Sequence, residues 1–169
     1  MIRAWWPPAV FVVLWWAVAL AAYSHVASPM PMHFGIGGVA DRYAEPTLGL
    51  WLLLPVVGAG LTLVLLAVGA TAGRYPSMIH LGMRSGADVA PSKHGELRQI
   101  VEEMMSSMSL CVLVALASIH AGVFSASGTT HATLPGWSQL TSALAVFAVT
   151  IFIVRFAVRA GALLNPSRS

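Results

Sequence analysis

Charge is what this chain most conspicuously lacks. Only 9% of its residues are Asp, Glu, Lys or Arg, against about 25% in a soluble domain. So few ionic groups cannot cover a water-exposed surface, which excludes an ordinary soluble globule. Cysteine is almost absent too. The single thiol, Cys111, lies within an apolar run, so an intramolecular disulfide and every CxxC motif are excluded. With no cation beside it in sequence, Cys111 reads as a small packing residue rather than a nucleophile. The net charge is +3, yet no basic stripe interleaves with aromatic residues, so nucleic acid is excluded as a partner. The glycine-rich stretch 35–38 has no following lysine and makes no phosphate-binding loop, and HExxH is missing. No serine or cysteine has a base partner at a telling spacing. The chain therefore reads as non-enzymatic, with no cofactor.

Hydrophobic residues dominate at 57%, and they fall into four uncharged runs. A bilayer core of about 30 Å needs roughly 20 helical residues. Ala4 to Ser24, Pro46 to Ala72, Met104 to Phe124 and Trp137 to Val154 each meet or approach that length. Pro7 and Pro8 fall in the first turn of the first run, where a missing N–H costs little. That run is long for a signal core and reads as a retained helix. The fold class is all-α: one integral membrane domain over residues 1–169, a four-helix bundle in contact with the lipid bilayer. Its helices are expected over about residues 4–25, 46–72, 92–124 and 137–160.

Orientation follows from arginine and lysine. Arg3, Arg74, Arg84, Lys93, Arg98, Arg155, Arg159 and Arg168 lie on one side of the predicted spans and only Arg42 on the other. The positive-inside rule places both termini and the 73–99 loop in the cytoplasm, and the 25–45 and 125–136 loops outside. The expected location is the bacterial inner (cytoplasmic) membrane, with multiple spans.

The third helix should begin before the membrane, with Ser92 as N-cap and Arg98 paired to Glu102 four residues on. Gln99, Glu102, Ser106 and Ser109 fall on one face, and His120 lies near the same line. Such a polar stripe should turn into the bundle or toward a partner chain rather than toward lipid. It reads as interhelical hydrogen bonding, or alternatively as a polar path. Gly69 and Gly73 form a GxxxG that permits close helix approach.

Residues 29–41, Pro-Met-Pro-Met-His-Phe-Gly-Ile-Gly-Gly-Val-Ala-Asp, are the stretch that apolar patterning does not explain. Pro29 and Pro31 enforce extended backbone, and Gly35, Gly37 and Gly38 permit turns with positive φ. His33 is expected to bond Asp41 across the turn. If half-buried, that bond would contribute about 1.5–3 kcal/mol. Imidazole with carboxylate suits zinc, and imidazole with thioether suits copper. Candidate ligands are His25, His33, Asp41, His120 and His131, which would have to converge from separate segments.

The spacing Pro31-x-His33-Phe34-x-x-x-Gly38-x-x-Asp41 resembles a bacterial membrane-domain family of unknown function. The same pattern occurs in the N-terminal part of SdpI-type immunity proteins. The resemblance covers about residues 5–70 and implies a loop of this pattern between the first two spans. SdpI-type proteins carry a further membrane domain with an asparagine- and arginine-containing signature. None is expected after the fourth helix, where the chain reads Leu-Leu-Asn-Pro-Ser-Arg-Ser.

Together these features imply a binding or sensing protein, an immunity-like protein, or an accessory subunit of a membrane complex. A membrane-protein partner or a homo-oligomer is the expected assembly. One rival is a small transporter or channel subunit using the polar stripe, and another is a copper- or zinc-dependent membrane protein. The topology is checked with cysteine tags. Ser28 and Ser127 should label from outside intact cells and Ser85 should not; labelling of Ser85 would overturn the orientation.

Overall fold

The computed structural model describes residues 5–81 and 84–164. Arg3, Arg168 and the proposed helix start at Ala4 lie outside them. Among the described residues four helices are long and apolar enough to cross a membrane, and the chain is a multi-pass membrane protein. Helix α1 spans Trp6–Ala22, and a 3-10 turn carries it on through Tyr23–His25. A β-hairpin follows, β1 Met30–Phe34 and β2 Ala40–Ala44, then a short α2, Leu48–Trp51, and α3, Leu53–Arg74. A small two-stranded ribbon, β3 His80–Leu81 and β4 Arg84–Ser85, precedes α4 His94–Ala126 and α5 Gly136–Leu164.

Two boundaries differ from expectation. Ser92 does not cap α4: it lies in a 3-10 turn, Pro91–Lys93, and the helix begins after Lys93 without a side-chain cap. The second span is not one continuous helix. Thr47, just after Pro46, caps α2 by accepting a bond from the Leu50 N–H at 3.3 Å, and Leu52 separates α2 from α3.

Helix–helix packing in hydrocarbon rests on close contact and interhelical hydrogen bonds, because lipid is as apolar as the side chains. Helix α3 supplies a small-residue face of Gly58, Thr62, Gly69 and Gly73, all buried. Gly58 receives the Trp15 ring of α1, and its added Cβ would stand 2.5 Å from that ring. Gly69 lies against Met105 and Gly73 against the Arg98 stem on α4, so the GxxxG does mark a close approach. In mid-bundle the Ser109 hydroxyl donates to Thr62 Oγ1 at 3.1 Å. Helix α5 is held by Ser138 Oγ donating to the Ser118 carbonyl at 2.6 Å and Ser142 Oγ to the Ala115 carbonyl at 3.2 Å.

One end of the bundle is ionic. Arg98 Nε donates to Glu102 at 2.7 Å, and Arg159 to Glu103 at 2.7 Å across α4 and α5. Beneath these pairs, Ile79 and Val89 of the 75–93 segment pack with Leu97, Val101 and Ala160. The β-hairpin covers the other end.

The glycine face gives a direct comparison. Gly58→Ala should destabilise by about 1–3 kcal/mol through overpacking against the Trp15 ring. Gly60, with nothing within 4 Å of its Cβ direction, should tolerate alanine or gain about 0.5–1 kcal/mol from helix propensity. Thermal unfolding in detergent measures both; equal effects would contradict the packing.

Candidate functional site at the hairpin end

The 29–41 stretch forms an antiparallel ribbon, which its helix-like surroundings do not announce. Met30 pairs with Ala44, Pro31 with Tyr43, His33 with Arg42 and Phe34 with Ala40. Met32 and Asp41 are each skipped, so each strand carries one extra residue. A bulge re-aims the side chain beside it, and here it brings Asp41 to His33. His33 Nδ1 lies 2.7 Å from Asp41 Oδ1. At the tip, the Gly35 N–H donates to the Val39 carbonyl and the Gly38 N–H to that of Gly35. Of the loop glycines only Gly38 has positive φ, at 72°. A Cβ there would also strike the Gln139 side chain.

The His33–Asp41 pair is exposed, 59% and 54% at the two side chains, not half-buried as expected. Water screening reduces such a pair to about 0–1 kcal/mol. The ribbon is fixed by other bonds. The Ala40 N–H donates to the Ala132 carbonyl, the Leu134 N–H to Gly38, and the Gly128 N–H to Pro29, all at 2.8–2.9 Å. The Tyr43 hydroxyl accepts from the Ala132 N–H at 3.0 Å, and Ser28 donates to Glu45 at 2.7 Å. The loop between α4 and α5 thus braces the hairpin's second strand. The tip projects Ile36, fully exposed, and Val39, half exposed.

Below the ribbon, three aromatic side chains meet. The Trp15 Nε1–H donates to His120 Nδ1 at 3.0 Å. Trp51 lies against the His120 ring, centroids 3.8 Å apart and planes tilted by 39°, and its Nε1–H donates to the Ala19 carbonyl at 2.7 Å. Met30, Trp51 and Val123 form the buried contact between hairpin and helices. His120 is thus a hydrogen-bonded interior residue, 5% exposed and held between two tryptophans.

The metal candidates do not converge. Among the described residues no group of three His, Cys, Asp or Glu could hold an ion. His25 is exposed and bonds Ser24, and His131 is exposed in its loop. The polar stripe is only partly inward. Glu102, Ser106 and Ser109 are buried, whereas Gln99 is exposed and donates to Glu103 on the helix surface. Trp15 and Trp51 were missed as site residues. The available signal was His120, an ionisable side chain within the otherwise uncharged stretch 104–126.

Two substitutions separate what fixes the ribbon. Tyr43→Phe leaves the Ala132 N–H without its partner and should cost about 1–3 kcal/mol. His33→Ala should cost less than about 1 kcal/mol. Thermal unfolding that reversed this order would make the His33–Asp41 pair the fastener.

Residues 10–58 match a family described as a domain of unknown function (DUF1648). No curated protein and no solved structure matched the chain. The matched stretch runs from α1 through the hairpin to Gly58, where Trp15 packs into α3.

Proposed function

We propose that the chain is a non-enzymatic binding protein of the bacterial inner membrane, with both termini cytoplasmic and the hairpin outside. The eight-to-one distribution of arginine and lysine supports that orientation. The observation that carries the binding reading is the hairpin tip. A fully exposed Ile36, beside the bonded His33 and Asp41, stands on a ribbon braced by the α4–α5 loop. Rigid presentation of an apolar residue lowers the entropy lost on association. A membrane-protein partner, as for a sensor, an immunity-like protein or an accessory subunit, is the favoured occupant.

The transporter or channel reading draws on Glu102, Ser106, Ser109 and Thr62, which lie inside the bundle. Proton or ion flux in liposomes separates it from the binder. The binding reading is tested with a photo-crosslinking amino acid at Ile36 and, as control, at Leu144 on the exposed face of α5. Irradiation in native membranes should give a discrete adduct from position 36 and none from 144. No adduct at 36, or the same products at both, would overturn it.

A further inference from the structure

Arg155 and Arg159 stand four residues apart on α5, one above the other on a single face. Glu103 of α4 bonds the second of them and not the first. Its Oε2 accepts from Arg159 at 2.7 Å, and its Oε1 accepts from Gln99 Nε2 at 2.8 Å. Each carboxylate oxygen therefore already has a donor. Glu103 attracts Arg155 at a distance, but it has one charge to share between two guanidiniums. Arg155 itself is exposed and has no hydrogen-bond or ion-pair partner among the described residues.

Helix register brings a second free donor to the same level. Helices α4 and α5 run antiparallel, with Glu103 facing Arg159. One turn toward the membrane along α4 is Ser107, and the matching turn along α5 is Arg155. Both line a cavity of about 260 Å³ together with Glu103 and Arg159. The Ser107 side chain is half-buried, and its hydroxyl has no hydrogen-bond partner among the described residues. Leu110, Phe152 and Phe156 supply apolar lining, and Pro7 brings α1 to the third side. The cavity thus combines an unneutralised guanidinium, an open hydroxyl and an apolar wall.

Depth says which anion meets it. Trp137 lies at the start of α5, and Arg155 follows it by 18 residues, about 27 Å at 1.5 Å per residue. Tryptophan favours the membrane boundary, and the hydrocarbon core is about 30 Å thick. Arg155 therefore lies at the opposite boundary, where the lipid phosphates begin. Charges interact more strongly there than in bulk water, because the effective dielectric constant is lower. The planar guanidinium fork matches two phosphate oxygens at once, and basic pockets between membrane helices hold anionic headgroups in this way.

We propose that this cavity binds the phosphate of a monoanionic membrane phospholipid. Arg155 holds two phosphate oxygens, the Ser107 hydroxyl donates to a third, and the start of one acyl chain lies on Leu110, Phe152 and Phe156. Arg155 and Arg159 set against Glu103 leave one net positive charge, which matches one phosphodiester. A zwitterionic lipid would bring its own ammonium into the same electropositive place and is disfavoured. The site lies at the end opposite the hairpin. It needs neither a partner at the tip nor a choice of which end is cytoplasmic.

The test titrates full-length protein in detergent with dioleoyl phosphatidylglycerol or dioleoyl phosphatidylcholine and reads the bound lipid by native mass spectrometry. The first phosphatidylglycerol should bind about tenfold more tightly than the first phosphatidylcholine, a factor equivalent to about 1.4 kcal/mol. Arg155→Gln should remove that preference while leaving the lipid-free thermal midpoint unchanged, since Arg155 bonds nothing within the protein. Arg155→Lys, which keeps the charge but loses the fork, should retain the preference in weakened form. Ser107→Ala should weaken phosphatidylglycerol binding about threefold. Arg74→Gln, at the same end but outside the cavity, should leave the preference in place. Equal affinity for the two lipids would overturn the proposal, as would a preference that survives Arg155→Gln. A loss from Arg74→Gln as large as that from Arg155→Gln would overturn it by assigning the preference to the diffuse charge of this end. Displacement of phosphatidylglycerol by an excess of inorganic phosphate would overturn it too, because the ligand would then be a soluble anion.

Discussion

The hairpin end of this molecule depends on two indole N–H groups that have no water to turn to. Inside a bilayer every such group must find its partner within the protein. Trp15 gives its N–H to His120, and Trp51 gives its own to the Ala19 carbonyl. The first bond joins α1 to α4. The second joins the start of the second span to α1. Because Trp51 also lies against the His120 ring and packs against Met30, the position of the hairpin follows from the same contacts. Losing one indole would leave a desolvated polar group and loosen three elements together.

The opposite end uses charge instead. Arg98, Glu102, Glu103 and Arg159 pair on or across α4 and α5. Between the ends, polar contact is reduced to small hydroxyls such as Ser109 with Thr62 and Ser138 with the Ser118 carbonyl. These bonds fix rotation about the helix axes without bringing charge into hydrocarbon. The distribution fits a bundle whose specificity lies at its ends, with a middle that serves mainly to hold them apart.

The hairpin joins two different surfaces. Its tip is exposed and braced, carrying Ile36 beside the His33–Asp41 pair. Its underside is apolar and roofs a chamber beside His120. A two-stranded ribbon is marginal in isolation. This one persists because the 128–134 loop supplies backbone partners to it, and because Met30 is buried among the helices.

The sequence by itself determined the membrane class and the four candidate spans, because uncharged runs of spanning length admit no other stable placement, although the long helix of the second begins only at Leu53. It also located the unusual loop and the approach of His33 to Asp41, since glycine-rich turn sequence separates them by only eight positions. Only the tertiary structure decided that this loop is a bulged ribbon held against the helices, since the segment that braces it lies about ninety residues away in the α4–α5 loop. It likewise decided that Gln99 faces outward and that His120 is sealed between Trp15 and Trp51. The contacts that seal His120 join residues 69 and 105 positions apart, and their pairing is set by helix packing, which leaves no local periodicity to read. The patterned residues 31–41 drew attention to the exposed tip, while the buried cluster beneath it was spread over three apolar helices.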